Sequence, residues 1–331
     1  MKIIECFSGI GAARKALNNL NIHHESIDSV EIDPKAVKSY NALYGENHVP
    51  TSVVGYNAPD VEIDLLIHGS PCQDFSIAGK QAGAEDGTRS GLMFETIRII
   101  EEMGENKPKV VVWENVKNVL SKKMRPAFNQ YLDEMKRLGY TNSYEVLDAR
   151  EFGIPQARKR LFTVSTLDGK PFNFFSIKRT KATPIQELLE SDVDDKYTIT
   201  QPSMLRKIDS TDDGSGHSLK VIIDHALTVT TKQLRCPNSG IVPINDTQYR
   251  LLTERECTRL MGFSDQDFEK LYVAHPGIKG KLNGTLYKQA GNSIVVNVLE
   301  SLFEQIVEQH LNPIQTNMRR NYHDRGQKQI H

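Results

Sequence analysis

Along the first 165 residues, short runs of aliphatic and β-branched residues alternate with stretches whose apolar positions recur at helical spacing. The pattern predicts strands at Lys2–Cys6, Ser26–Glu31, Asp64–His68, Lys109–Glu114, Ser143–Leu147 and Leu161–Ser165. Helices are predicted between them at Ala12–Leu20, Pro34–Tyr44, Leu92–Met103 and Pro126–Leu138. The run Val110-Val111-Val112-Trp113 has no polar alternation and reads as a strand covered on both faces. Strand and helix in strict alternation give an α/β fold built on a parallel sheet.

After Ser165 the alternation stops. Residues 176–248 carry weak periodicity, an acidic run (Glu187, Glu190, Asp192, Asp194, Asp195) and the turn-rich stretch Asp209–Gly216, the pattern of a smaller, loop-rich unit. Helical patterning returns at Glu254–Met261 and Val295–Gln309. The expected organisation is a large unit over residues 1–175, a smaller one over 176–285 that includes a hinge, a C-terminal helix over 286–311, and a polar tail over 312–331 expected to be disordered. No internal repeat is evident.

Composition narrows the class. With 38% hydrophobic and 25% charged residues in 331, the chain is an ordinary globular one, long enough for a large core. No run of 18 apolar residues or secretory leader is evident, so a cytoplasmic protein is expected. The four cysteines (Cys6, Cys72, Cys236, Cys257) stand far apart, which suggests neither a disulfide framework nor a metal site. Net charge is −1, so any affinity for a polyanion must be local. One segment has the bias: between Arg150 and Lys181, eight Lys and Arg stand against Glu151 and Asp168. That bias fits either an anionic partner or a solvated surface.

Four places have the residue types of a reactive site. The first strand runs into Phe7-Ser8-Gly9-Ile10-Gly11 and a helix, an arrangement that lets a ligand approach backbone at a helix N-terminus. Glu31, 20 residues beyond Gly11 at the end of the next strand, can accept both hydroxyls of a ribose. The third glycine of the dinucleotide fingerprint is missing, so the turn is either a nucleoside site or structural. The second place is Gly69-Ser70-Pro71-Cys72-Gln73-Asp74-Phe75-Ser76, which follows the strand ending at His68. Cys72 there is either a nucleophile or an inert small hydrophobe. Glycines at 79, 83, 87 and 91 give the next segment the composition of a lid. The third is Glu114-Asn115-Val116, where Glu114 either opens onto the same crevice as Cys72 or caps the next helix. In the fourth, Gln156-Ala157-Arg158-Lys159-Arg160, strand alternation puts Arg158 and Arg160 on one face, toward a carbonyl-rich or anionic ligand or toward solvent.

In this order and spacing, the motifs resemble the bacterial and phage cytosine-5 DNA methyltransferases of restriction-modification systems. The resemblance covers Lys2 to about Ser165 and Arg250 to about Leu299. Further matches are Arg250-Leu251-Leu252-Thr253-Glu254-Arg255-Glu256, Arg259-Leu260-Met261-Gly262-Phe263 and Gly291-Asn292-Ser293-Ile294-Val295-Val296. The resemblance implies a Rossmann-like, S-adenosylmethionine-dependent methyltransferase sheet with a smaller target-recognition domain. It also implies that the C-terminal helix returns to close the cofactor pocket.

The implied activity is sequence-specific DNA cytosine-5 methylation. Cys72 adds to carbon-6 of a flipped cytosine, Glu114 donates at ring nitrogen 3, and Arg160 with Arg158 holds the carbonyl oxygen at position 2. The implied contacts to S-adenosylmethionine, or its product S-adenosylhomocysteine, are Phe7, Gly9, Gly11, Glu31, Ile32, Asn57, Gly69, Pro71, Asn292 and Ser293, with no metal. Where the family commonly has Gly-Asp-Ile, this chain has Gly55-Tyr56-Asn57, leaving Asn57 or Asp60 to replace the usual carboxylate at the adenine.

The implied partner is double-stranded DNA, read by a monomer, with a cognate restriction endonuclease as a further partner of the system and nucleoid association through DNA. The lid from Ile77 to Gly91, after Gln73 and Ser76, and the turn around Ser215 are expected to fill the hole left by the flipped base. Ala226-Leu227-Thr228-Val229-Thr230 resembles the recognition domain's Thr-Leu element with Val in place of Leu. Gln233 and Arg235 have the chemistry to read adenine and guanine edges, or lie on plain surface. A tRNA cytosine-5 methyltransferase of the same fold and a non-catalytic DNA-binding homologue are the alternatives.

Overall fold

The computed structural model describes residues 1–70, 91–208, 218–235 and 237–311. Its first half runs β1 (Lys2–Cys6), α1 (Ala12–Asn19), β2 (Glu25–Val30), α2 (Pro34–Tyr44), β3 (Leu65–His68), α3 (Gly91–Glu102), β4 (Val110–Val116), α4 (Arg125–Arg137) and β5 (Thr141–Asp148). The short β6 (Gln156–Ala157) and long β7 (Lys159–Thr166) follow. Beyond them come α5 (Pro202–Leu205), β8 (Ala226–Leu227), β9 (Val242–Pro243), β10 (Tyr249–Arg250), α6 (Glu254–Arg259), α7 (Asp265–Ala274), α8 (Gly284–Asn292) and α9 (Val296–Ile306).

Six strands make one sheet in the order β2-β1-β3-β4-β7-β5. The pairs among β2, β1, β3 and β4 are parallel, as the alternation predicts, but β7 is antiparallel to both β4 and β5. The sheet is therefore mixed rather than wholly parallel. A parallel crossover needs a dozen or more residues, usually including a helix. The connection 149–158 has only a three-residue turn at Ala149–Glu151 and the two residues of β6, so the chain folds straight back.

Period-2 alternation divides the sheet's side chains between two cores. Ile3, Leu65, Ile67, Val110 and Val112 pack with Leu17 of α1 and Leu302 of α9. Ile4, Leu66, Val111 and Trp113 pack with Ile97 of α3 and Tyr131 of α4 on the other face. The C-terminal helix thus returns to the first helix of the chain. Between the two halves, residues 172–250 are held by short ladders and isolated bridges, around a small cluster of Ile199, Leu219, Ile241 and Leu251. Phe172, Phe174, Ile177 and Ile185 belong instead to the large α1/α9 core, and α7 packs on α2, so the segment with its own core is narrower than 176–285.

The junction between this segment and the C-terminal helices is ionic. Arg250, 7% exposed, makes a bidentate pair with the fully buried Glu256, both N–O distances 2.8 Å. Glu256 also accepts from the amides of Thr253 and Glu190, each at 2.8 Å, the first closing a capping box on α6. Removing one partner of such a pair leaves an uncompensated buried charge, a loss of about 3–5 kcal/mol. Arg250→Met is expected to lower unfolding free energy by that amount in urea titration; a loss below about 1 kcal/mol would show that the pair does not hold the junction.

Candidate active site

The turn after β1 is shaped by three residues of positive φ: Phe7 at 57°, Gly9 at 56° and Gly11 at 81°. At Gly11 a Cβ would stand 2.5 Å from the Tyr44 ring and 2.7 Å from that of Tyr40, so packing as well as backbone conformation selects glycine. Gly9 has open space around the Cβ position. Glu31 reaches back to this turn: Oε2 accepts from the Gly9 amide at 3.0 Å and Oε1 from the Asp33 amide at 2.8 Å. Ile32 beside it leaves its side chain 67% exposed.

Phe7, Gly9, Ala12, Gly69, Asn292 and Ser293 line one crevice. Three segments remote in sequence therefore meet at the carboxyl ends of β1 and β3, where open α/β sheets place their ligands. Gly11, Glu31 and Ile32 flank that lining, while Asn57 is exposed on its loop. Asp60, the other substitute for the missing adenine contact, accepts a 2.6 Å hydrogen bond from the Asn106 amide. Sequence reasoning missed Glu5 and His68 on the crevice wall. Glu5 is 1% exposed; burial pushes its carboxyl up to about 7 although Tyr40 donates its hydroxyl to Oε2 at 2.5 Å. Burial drives His68 down to about 3, so this imidazole is neutral, stacked on Trp113 and bridging Ser70 Oγ at 3.3 Å and the Tyr131 hydroxyl at 3.2 Å.

The register of β3 with β4 pairs His68 with Trp113, which sets Gly69 beside Glu114. A Cβ on Gly69 would lie 3.9 Å from Glu114 Oε2. Asn115 Nδ2 donates to the Ser70 carbonyl at 3.0 Å, anchoring the strand end two residues before Cys72. Glu114 Oε1 pairs with Arg160 Nε at 3.2 Å. Burial raises the Glu114 carboxyl above the ordinary range, against the opposing pull of Arg160 and then Arg158. A carboxyl whose proton affinity is raised, beside a guanidinium, can donate a proton to a ring nitrogen while the cation meets an adjacent carbonyl.

Two expectations are corrected. Arg158 is 4% exposed, and its guanidinium donates to the carbonyls of Val229 (2.8 Å), Gly291 (3.1 Å) and Ser293 (2.7 Å). Both Nη groups are thus held by the chain's own backbone, so they do not share the substrate role given to Arg160. The strand ladder breaks at residue 158, between β6 and β7, which removes the simple alternation that put both arginines on one face. Gln233 is 2% exposed, with Nε2 turned inward to Ser239 Oγ at 2.5 Å, so it cannot reach a base edge. Arg235 is exposed, and Thr228 donates its hydroxyl to the Ala157 carbonyl at 2.8 Å. Pro71, Cys72, Gln73, Ser76 and Ser215 lie outside the described residues, as do lid positions 77–90, the turn 212–216 and the tail 312–331. Among the described residues, no group of three or more His, Cys, Asp or Glu could hold a metal ion.

Comparison with known proteins gives the family and the fold. The chain is 31% identical over 369 aligned positions to the Type II methyltransferase M2.ScrFI of Lactococcus lactis subsp. cremoris, covering 92% of this chain and 99% of that protein. It is 26% identical to the Orphan methyltransferase M.SPRI of Bacillus phage SPR, covering 94% and 98%. Among solved structures, S. pombe Dnmt2 methyltransferase superimposes with a TM-score of 0.77 at 22% identity, over 93% of this chain and 98% of that one, a likeness of fold. The family model for C-5 cytosine-specific DNA methylase matches residues 1–308, and with the crevice and the Glu114–Arg160 pair in place the chain belongs to that family.

Proposed function

We propose that the chain methylates carbon-5 of a cytosine flipped from duplex DNA at one recognition sequence, with Cys72 as nucleophile. The observation that carries this reading is Glu114 paired with Arg160 at the carboxyl end of β4, beside the strand end that continues into Pro71-Cys72. Carbon-5 of cytosine is a weak nucleophile. The Cys72 thiolate adds to carbon-6 and forms an S–C bond, while Glu114 gives its proton to ring nitrogen 3 and Arg160 meets the carbonyl oxygen at position 2. The ring then carries an enamine with its electron density at carbon-5. Loss of the carbon-5 proton to a base after methylation expels Cys72 as thiolate, and return of the nitrogen-3 proton to Glu114 restores both the aromatic ring and the enzyme.

S-adenosylmethionine, when bound, supplies an electrophilic methyl group. The crevice suits it: the Gly9 position is open, the backbone at the start of α1 can face a carboxylate, and Glu31 stands beside exposed Ile32 for a ribose and an adenine. Flipping the base costs on the order of a few kcal/mol. We assign the filling of the vacated stack to residues around Gln73, Ser76 and Ser215, and the reading of sequence to the 176–248 region through Arg235. Lys117, Lys122 and Lys123, all exposed, are assigned to phosphate. The setting is protective methylation as a monomer in the cytoplasm, with a cognate endonuclease or without one.

Three outcomes test this reading. Cys72→Ala is expected to abolish methyl transfer while cofactor affinity stays near wild type, and the wild-type protein is expected to form a denaturation-resistant adduct with duplex containing 5-fluorocytosine. Robust turnover by the alanine variant, measured by methyl incorporation, would remove Cys72 from the chemistry.

Because the Glu114 carboxyl is shifted upward, its proton-donating form persists to higher pH than an ordinary carboxyl's, and kcat is expected to fall as pH rises through that pKa. Glu114→Gln is expected to be about 10²–10⁴-fold slower and to lack that descending limb. A limb unchanged in the variant would assign it to another group.

Arg235→Ala is expected to weaken the cognate duplex alone by roughly 1–3 kcal/mol, whereas Lys122→Ala weakens all duplexes alike and lowers the salt slope by about one unit. Salt titrations on cognate and scrambled duplexes compare them; equal losses on both for Arg235→Ala would make it a backbone contact.

A further inference from the structure

The carbonyls that receive the Arg158 guanidinium belong to two functionally different walls. Val229 lies in the segment after β8 that leads to exposed Lys232 and Arg235, where DNA is expected. Gly291 stands in the last turn of α8 and Ser293 just beyond it, and Ser293 lines the cofactor crevice with Asn292 and Ile294. Two further contacts hold the Val229 wall. Gln156 accepts the Val229 amide at 2.9 Å and donates to the Leu260 carbonyl at 2.8 Å, so the motif grips Val229 through both its N–H and its C=O. At Gly291 a Cβ would stand 2.4 Å from Thr230 C and from Thr231 N, so the helix end lies directly against the recognition backbone. Neither wall can shift alone without pulling a buried carbonyl off a buried cation.

From this geometry we infer that Arg158 is a positioning residue that couples the DNA-reading segment 228–235 to the cofactor-lining segment 291–294, making the two ligands bind cooperatively. The inference rests on the proposed function, which supplies both ligands. A planar guanidinium with divergent donors can hold three carbonyls on two segments at once; a lysine ammonium at the same place is a point charge on a flexible stem. Cofactor contacts that fix the 291–294 loop thereby fix Val229 and Thr230, and DNA that orders the 228–235 segment returns the effect. Linkage requires the factor to be equal in both directions.

The experiment uses the full chain, S-adenosylhomocysteine, and a duplex carrying the site mapped by cytosine-methylation sequencing of DNA from an expressing host. Titration calorimetry and fluorescence anisotropy give the affinity of each ligand alone and with the other saturating. The wild-type factor is expected to be about tenfold, within the usual range for coupled sites. Arg158→Lys is expected to bring it below about twofold while still binding each ligand separately. Gly291→Ala, which leaves the guanidinium in place but forces the two backbones apart, is expected to do the same. A merely structural role would lower melting temperature and both affinities without changing their ratio.

Amide hydrogen exchange on the wild type needs no substitution: S-adenosylhomocysteine alone is expected to slow exchange across residues 228–231. A wild-type factor of one, an unchanged factor in a folded variant, or unaltered exchange at 228–231 would each overturn the inference. Failure to methylate any site would instead overturn the proposed function.

Discussion

The parallel pairing of β3 with β4, in the register that sets His68 opposite Trp113, is the constraint from which the site follows. Four consecutive β4 residues, Val110 to Trp113, are almost wholly buried, so the strand has one place within the sheet. A slip of one residue would turn each of these side chains to the other face and exchange the two cores. Where this run ends, Glu114 emerges with 13% of its side chain exposed, beside the glycine that precedes Ser70-Pro71-Cys72 in the chain. Packing thus delivers a carboxyl to the rim of the sheet. The same incomplete burial raises its proton affinity without removing it from reach of a base.

The two arginines of the Gln156–Arg160 motif show how backbone continuity decides chemistry. Arg160 lies in β7, paired with Val116 and Leu147 in the sheet, and its guanidinium meets Glu114. Arg158 sits where the chain passes from β6, which pairs with β8, into β7, which pairs with β4 and β5. At this change of partner its side chain is enclosed by the backbone at Val229 and at Gly291 and Ser293. Burial, and then Arg160, lowers its pKa to about 9, still above neutrality, so a cation remains to be satisfied by three carbonyls. A hydrophobic side chain of equal volume could fill the space, but those carbonyls would lose their donor.

Most of the large sheet was legible because its hydrophobic runs are unbroken and its helix signals are local. α2 begins and ends where the sequence puts it, since Asp33 caps its first turn through the Lys35 amide and Gly45 takes the left-handed conformation at its end. The direction of β7 was not legible from residue pattern; connection length carries that information. Gln233 was misread for a different reason. Its neighbours Lys232, Leu234 and Arg235 are exposed, and nothing local indicates that the amide between them turns inward to Ser239. Among the catalytic motifs, residue types and order pointed to Glu114 and Arg160, but the division of labour between Arg158 and Arg160 depends on segments some 70 and 130 residues away.

That remoteness has a consequence for how the cofactor crevice exists at all. One wall comes from residues 5–13, the floor from 67–69 and the other wall from 292–294, and the packing of α9 on α1 and of α7 on α2 brings the ends of the fold together. The Val296 amide donates to the Met261 carbonyl at 2.9 Å, and Gly262 has its Cβ position 2.3 Å from Asn297 Oδ1, so the first turn of α9 is seated on the α6–α7 turn. The Arg250–Glu256 pair in turn joins α6 to the recognition segment. Closing so long a loop costs little more entropy than closing a moderate one, because the penalty grows only with the logarithm of length. Burial of the α9 face offsets it, and the crevice gains a wall positioned by contacts from both halves of the chain. The crevice is therefore a property of the whole fold, which is why a side chain in the middle of the sequence can bear on it from behind.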